Sequence, residues 1–341
     1  MLERLTPPAY ADNRIVNELS RRGFLTGAGA GAALLGLSAC GSTHGSSRGS
    51  APDRATRTIA TAFGSVEVPA TPKRVVCVDT YSVNALLDIG FAPVGVGGGA
   101  EDFVLPKDRA TYVRLAKVSS SAGEVDIEAV AALRPDLIIG LDQPPISGVR
   151  AKLSGIAPTA VFRWDTPAEW PKLVASVTTA VGRAGDESAL ERRYRARTAK
   201  LRNDHGDALR RIHWDLITGS PDQAYVWLAN SDVGVVLADG GVQLASASGG
   251  KSLGTDPGGS VPVSFERLGA LGTADAIAVR AGMDGQSDAM TKTLLQQPTF
   301  KALPAARAGR VFPLKAFFPF SYGQGIALLD EFDPILSRLR T

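Results

Sequence analysis

Short apolar runs rich in β-branched residues alternate with amphipathic stretches along most of this 341-residue chain. Such runs are typical of buried strands, and the stretches between them place apolar residues on one helical face. In the first half, the pattern predicts helices over 83–89, 127–133 and 149–153, and strands over 75–79, 93–96, 135–140 (with its leading loop) and 159–162. Strands that alternate with helices favour a parallel sheet with helices on both faces.

The pattern changes between residues 168 and 207. Leu173, Val177 and Val181 share one face of a predicted helix, residues 182–185 interrupt it, and a more polar helix follows over about 187–204. Its many charges cannot all face a core. This helix is therefore either solvated along the surface or a rigid strut between two lobes.

The strand–helix alternation resumes after the polar helix. The second half is predicted to hold helices over 233–238, 265–271 and 322–339, and strands over 215–218, 224–228, 276–279 and 310–314. We predict an α/β fold of two lobes, 56–183 and 207–341, with central, mostly parallel sheets. A single long interlobe helix over 184–206 joins them, and a ligand cleft lies between them.

The first 55 residues show the features of an export signal and a tether, and no pattern of a folded domain. Arg21 and Arg22 precede a short apolar run that ends in small residues before Cys40. The run is shorter than the roughly 20 apolar residues that span a bilayer. The segment resembles the signal of twin-arginine-exported bacterial lipoproteins, which implies an export signal over 1–39 and lipid attachment at Cys40. We expect a Gly/Ser-rich tether over 40–55 and anchoring to the outer face of the cytoplasmic membrane.

Composition excludes several classes of function. The net charge of +3 is close to balanced and the basic residues are scattered, which argues against nucleic-acid binding. Besides Cys40 there is only Cys77, inside a predicted strand, where core packing is the default. The three histidines show no metal-ligand spacing and no nucleophile signature beside them. We therefore expect no metal site, no cofactor and no enzymatic activity.

One local pattern occurs in both lobes. Residues 126–139 and 264–277 each begin with a helix N-cap residue, an apolar residue and then a glutamate, Glu128 and Glu266 respectively. Each continues through a short helix to an aspartate and a buried strand. Helix capping and the favourable position of an acid at a helix N-terminus explain part of this pattern without any function.

The paired pattern, with Pro72-Lys-Arg-Val-Val76 and Pro135-Asp-Leu-Ile-Ile139, resembles the cobalamin and iron-siderophore substrate-binding proteins of ABC importers. The resemblance covers about residues 57–337. It implies two α/β lobes joined by one long helix, with small hinge motions. It also implies that Glu128 and Glu266 dock onto arginines of the membrane permease. The implied partners are that permease, its ATPase and a small iron chelate, and we expect a monomer.

Ligands of such folds lie at the carboxyl ends of the strands. The residues that we predict to bind ligand there are Tyr81, Arg163, Trp164, Trp227, Arg280, Phe317 and Tyr322. Arginine offers forked donors to carboxylate or catecholate oxygen, and rings cover apolar faces, so we expect a large, planar, partly anionic ligand. Phe317 can equally belong to the core, and the Gly-rich stretch 95–100 is predicted to form a flexible rim.

A ferric siderophore is the expected ligand, because a chelated ferric ion brings its own ligands and needs no protein metal site. Haem and cobalamin stay open as alternatives within the same importer class. Two other functions also stay open: an exported enzyme on a two-lobed scaffold, and a sensor that kept the fold without transport.

Overall fold

The computed structural model describes residues 55–99, 101–119, 124–254 and 256–339. The predicted signal and tether, with Arg21, Arg22 and Cys40, lie outside the described residues. Within the described ranges, none of the helices combines the length and the apolar character needed to cross a membrane.

The first lobe contains a five-stranded parallel sheet and a separate hairpin. Its strands are β1 (Thr56–Thr61), β2 (Gly64–Pro69), β3 (Val75–Cys77), β4 (Gly95–Val96), β5 (Ala116–Lys117), β6 (Leu137–Leu141) and β7 (Thr159–Phe162). Its helices are α1 (Ser82–Asp88), α2 (Pro106–Arg114), α3 (Ile127–Ala132), α4 (Pro144–Ser147), α5 (Arg150–Ser154) and α6 (Trp170–Ala180). The sheet order is β5-β4-β3-β6-β7, as expected from the strand–helix alternation. The pattern missed the β1–β2 hairpin, which turns at Gly64, where a φ of 99° favours glycine.

The second lobe contains a mixed sheet. Its strands are β8 (His213–Gly219), β9 (Gln223–Trp227), β10 (Gln243–Leu244), β11 (Ser260–Ser264), β12 (Ala276–Arg280) and β13 (Val311–Leu314). Strands β10, β12 and β13 run parallel to β8. Strand β9 pairs antiparallel with β8, and β11 pairs antiparallel with β9. A tight turn over 220–222 forces the β8–β9 reversal, because only antiparallel neighbours can be joined by so short a connection.

The helices of the second lobe are α8 (Asp232–Asp239), α9 (Ala289–Gln296), α10 (Pro298–Lys301), α11 (Pro304–Arg307) and α12 (Tyr322–Arg338). The predicted helix over 265–271 is present as a 3₁₀ helix, Phe265–Leu271, and not as an α-helix.

The long polar helix is α7 (Ala184–Arg211), and it packs along α12. It begins where we placed the interlobe helix and continues five residues beyond the predicted end. Non-helical backbone angles at His205 mark a kink close to that predicted end. Arg197 and His205 each reach Asp333 of α12, at 2.7 and 2.5 Å. The charges on this face of the helix are therefore used in packing, and Leu201 beside them is fully buried.

One apolar core extends through both lobes. At its centre the indole of Trp170 lies edge-on to Tyr194, with ring centroids 5.9 Å apart, and to Tyr322, 5.0 Å apart. Cys77 is also fully buried here, and burial raises the pKa of its thiol well above the ordinary value. The prediction that Cys77 is a core residue is confirmed.

Candidate functional site

Six aromatic side chains meet where the two lobes face one another, and we call them the aromatic wall. Three come from the first lobe and three from the second: Tyr81, Phe103, Trp164, Trp227, Phe318 and Phe320. Only Phe320 falls among the buried residues; the other five keep part of their surface open. A partly open aromatic surface between two lobes is what a large apolar ligand requires.

Phe320 lies at the centre of the wall. Its ring centroid is 4.6 Å from that of Tyr81, in an edge-on arrangement, and 6.0 Å from that of Phe103. The ring is nearly parallel to Phe318, with centroids 6.4 Å apart. The backbone N–H of Phe320 donates to the side-chain oxygen of Gln324 at 2.8 Å, and the Gln324 amide donates to the carbonyl of Phe103. Gln324 thus ties the two lobes together directly beneath the wall.

Tyr81 is held by a buried carboxylate. Asp79 Oδ1 accepts hydrogen bonds from the backbone N–H groups of Tyr81 and Ser82, each at 2.7 Å, and Oδ2 accepts from the Ser82 hydroxyl at 2.8 Å. Burial raises the pKa of Asp79, and these hydrogen bonds act in the opposite direction. The arrangement fixes the turn between β3 and α1, so that the Tyr81 ring is directed at Phe320 and Trp164.

Arg280, at the end of β12, joins the second lobe to the first. Its Nη1 donates to Asp288 Oδ2 at 2.7 Å, and its Nη2 lies 3.7 Å from Asp102 Oδ2 across the cleft. The guanidinium lies 5.7 Å from the ring of Phe103 and 5.8 Å from the ring of Phe318. The structure therefore brings Arg280 into the aromatic wall, with carboxylates on both sides of it.

Arg163 lies at the rim. It follows β7 immediately, and its Nε donates to Asp142 Oδ2 at 2.7 Å. Its guanidinium is also 6.0 Å from the ring of Phe63, the exposed residue at the tip of the β1–β2 hairpin. These contacts direct Arg163 toward the edge of the first lobe, whereas Trp164, the next residue, joins the aromatic wall.

Of the other predicted ligand contacts, Trp227 lies in the wall, whereas Phe317 and Tyr322 are buried in the core. Trp227 joins the wall 4.7 Å from Phe318, and its indole N–H donates to Thr218 Oγ1 at 2.9 Å. Phe317 has no exposed surface, in keeping with its alternative assignment to the core. Tyr322 packs in the interlobe core against Trp170, where burial raises the pKa of its hydroxyl. Tyr322 is only 4% exposed, so we do not retain it as a ligand contact.

Sequence reasoning missed Phe103, Asp102 and Phe320. The first two follow the Gly-rich stretch 95–100 that was predicted to form a rim, and Phe320 lies in the aromatic run after β13. The Gly-rich stretch and the aromatic run are both visible in the sequence, but neither shows which side chains meet across the cleft.

Glu128 and Glu266 are both exposed, each in the first turn of its helix. The two helix starts differ. Asp126 caps α3 by accepting the N–H of Ala129 at 2.9 Å, whereas Ser264 makes no such cap. Hydrogen bonds from its own backbone N–H and from the Ser264 side chain lower the pKa of Glu266.

Among the residues that the structure describes, no group of three or more His, Cys, Asp or Glu side chains is arranged to hold a metal ion.

Comparison with known proteins agrees with this geometry. Residues 75–316 match the family model described as periplasmic binding protein. The chain belongs to the periplasmic binding protein family. This binding protein also resembles the siderophore periplasmic binding protein from the fuscachelin gene cluster of Thermobifida fusca, with a TM-score of 0.70 and 26% identity, over 80% of this chain and 98% of that one. The predicted two-lobed α/β fold is confirmed.

Curated relatives match part of the chain. The binding protein is 32% identical to the probable siderophore-binding lipoprotein YfiY of Bacillus subtilis over 181 residues, 51% of this chain and 54% of the relative. It is 34% identical to the iron(3+)-hydroxamate-binding protein YxeB of the same organism over 138 residues, 39% of each chain. The matches thus span about half the length of these relatives or less.

Proposed function

We propose that this protein captures a ferric siderophore, or a similar iron chelate, outside the cytoplasmic membrane and delivers it to the permease of an ABC importer. The observation that carries the proposal is the aromatic wall between the lobes of a periplasmic binding protein. Two relatives whose names specify siderophore or ferric hydroxamate binding support it. Those relatives, and the Thermobifida fusca protein, are binding proteins by name, which favours binding without catalysis.

Intrinsic fluorescence of the full chain tests the capture step. Of the four tryptophans, Trp164 and Trp227 lie in the wall, while Trp214 is 1% exposed in the core of the second lobe. We expect saturable quenching by at least one ferric siderophore, reduced in Trp164→Phe and retained in Trp214→Phe. Saturable quenching only by haem or only by cobalamin would shift the proposal to that ligand, and no response to any of the three would refute it.

Delivery is assigned to Glu128 and Glu266, one from each lobe. Exposed carboxylates are suited to pair with permease arginines, because forked guanidinium donors match carboxylate geometry. The partners in this proposal are the permease and its ATPase, and the binding protein acts as a monomer.

A double variant, Glu128→Ala with Glu266→Ala, tests delivery. We expect iron-chelate uptake by cells to be lost while affinity for the chelate stays unchanged. Glu67→Ala, an exposed glutamate on β2, is the control and should support normal uptake. Normal uptake in the double variant would refute the assignment of Glu128 and Glu266 to permease docking. Chemical modification of a bound chelate would favour the enzyme alternative.

We further propose that Arg21 and Arg22 direct export of the folded chain and that Cys40 carries the lipid anchor. The name of YfiY as a lipoprotein and the description of the family as periplasmic support a location outside the cytoplasm. Cys40→Ser should release the protein from membranes into the soluble fraction, and Arg21→Lys with Arg22→Lys should retain it in the cytoplasm.

A further inference from the structure

Both arginines that the sequence offered for an anionic ligand are already neutralised within the protein. Arg280 donates to Asp288 at 2.7 Å and faces Asp102 at 3.7 Å. Arg163 donates to Asp142 at 2.7 Å. At the aromatic wall, the one positive charge of Arg280 thus faces the two negative charges of Asp288 and Asp102, and this group carries a net negative charge.

The two closest carboxylates are themselves fixed by second hydrogen bonds. Asp288 is the N-cap of α9, and its Oδ1 accepts the N–H of Thr291 at 2.7 Å. Thr291 Oγ1 donates in turn to the carbonyl of Arg280 at 3.1 Å. Asp142 accepts the hydroxyl of Ser147 of α4 through its other oxygen. Neither carboxylate can turn away without losing a hydrogen bond, so a ligand anion would have to compete with a carboxylate already in place.

The remaining lining is aromatic. The face of an aromatic ring carries the negative part of its quadrupole, which attracts cations and disfavours anions. The rings of Phe103 and Phe318 lie within 6 Å of the Arg280 guanidinium and occupy positions from which an anion could approach it. The wall therefore offers apolar contact area and no unpaired positive charge at Arg280.

We infer that the cleft selects ferric chelates that carry no net negative charge, an inference that rests on the proposed function. Three singly charged hydroxamates cancel the charge of a ferric ion, whereas three doubly charged catecholates leave a strongly anionic complex. A neutral trihydroxamate can bury its surface against the aromatic wall without desolvating net charge. A tricatecholate would meet the carboxylates of Asp102 and Asp288.

Two probes test this inference on the full chain: ferrichrome, a neutral ferric trihydroxamate, and ferric enterobactin, a triply charged tricatecholate. We expect ferrichrome to bind at least tenfold more tightly, with a Kd that does not change between low and high NaCl, because salt screens only charged pairs. Asp288→Asn keeps a helix N-cap but removes one fixed negative charge. We expect it to tighten ferric enterobactin binding about tenfold and to change ferrichrome binding less than about twofold.

Asp102→Asn, at an exposed position, is the second variant and should act in the same direction without affecting folding. Asp275→Asn is the matched control, because Asp275 precedes β12 and lies at the opposite end of the strand from Arg280. Tighter binding of the tricatecholate by the unmodified protein, or unchanged tricatecholate affinity in both Asp288→Asn and Asp102→Asn, would overturn the inference while leaving iron-chelate capture intact. Failure of every ferric chelate to bind would refute capture itself.

Discussion

The first lobe presents two of its three wall residues just after parallel strands, whereas the second presents two of its three from a single loop. Tyr81 and Trp164 follow β3 and β7 within a few residues. Phe318 and Phe320 lie in the loop between β13 and α12, and Phe318 packs on Trp227 of the antiparallel strand β9.

This difference explains why the ends of predicted strands located site residues more reliably in the first lobe than in the second. The carboxyl ends of parallel strands share one edge of a sheet, so a residue that directly follows such a strand lies at that edge. The β8–β9 hairpin breaks that relation, because the end of β9 lies at the level of Leu216, within β8. Trp227 reaches the wall through its large ring and its contact with Phe318, and not because it ends a strand.

The largest expected effect concerns the core that the two lobes share. Trp170→Ala should lower the free energy of unfolding by about 3–5 kcal/mol, because the indole is fully buried between Tyr194 and Tyr322. Denaturant unfolding measures this change. Phe63→Ala, on the exposed hairpin tip of the first lobe, is the control and should change stability by less than about 1 kcal/mol. Two separate unfolding transitions with little effect of Trp170→Ala would mean that the lobes are stabilised independently.

A second prediction contrasts buried carboxylates of the two lobes. Asp79 accepts three hydrogen bonds, whereas both oxygens of Asp232, at the start of α8, lack partners of normal geometry. Burial raises the pKa of Asp232 to about 8, so its contribution to stability is present below its unfolded pKa near 4 and is lost as pH rises to 8. Asp232→Asn should therefore stabilise the protein at pH 9, by an amount that falls as the pH is lowered from 8, and have little effect at pH 4.

Thermal or urea unfolding across this pH range measures the difference between Asp232→Asn and the unmodified protein. Asp207→Asn is the control, because it removes a carboxylate that is 82% exposed and should change stability by less than about 0.5 kcal/mol. A flat difference curve for Asp232→Asn would show that Asp232 does not change its charge within this range.

The third prediction separates the wall from the core behind it. Phe320→Ala should weaken ferric siderophore binding about tenfold, because the ring lies at the centre of the wall and supports Tyr81 and Phe318. Tyr322→Phe should leave affinity within about twofold, since its ring lies against Trp170 in the core. Fluorescence titration gives both values, and a larger loss in Tyr322→Phe would restore Tyr322 to the ligand site.

The smallest expected effects distinguish the two glutamate-bearing helices. Asp126→Ala should cost about 1 kcal/mol of stability, because it removes the side-chain cap of α3. Ser264→Ala should cost less than about 0.5 kcal/mol, since Ser264 makes no cap hydrogen bond to the backbone. Equal losses in denaturant unfolding would mean that the two helix starts are stabilised in the same way.

Strand and helix positions were largely predictable from the sequence. The strand over 159–162 was placed with the same bounds as β7, and Cys77 was correctly assigned to the core. Apolar periodicity is a local property, so it identifies an element wherever one face is buried. The segment 265–271 was predicted as an α-helix but is a 3₁₀ helix. Gly269 and Gly272 weaken an α-helical turn here, and apolar periodicity alone cannot distinguish a short α-helix from a 3₁₀ helix.

By itself, the sequence determined the alternation of strands and helices, the exposed first-turn positions of Glu128 and Glu266, and aromatic residues near strand ends. Only the tertiary structure decided that Tyr322 faces the core, that Phe320 lies at the centre of the wall, and that Asp102 of the first lobe faces Arg280 of the second. The physical reason is distance along the chain. Charge pairing and ring contacts depend on side chains from separate lobes meeting within a few ångströms, and no local pattern of residues encodes that meeting.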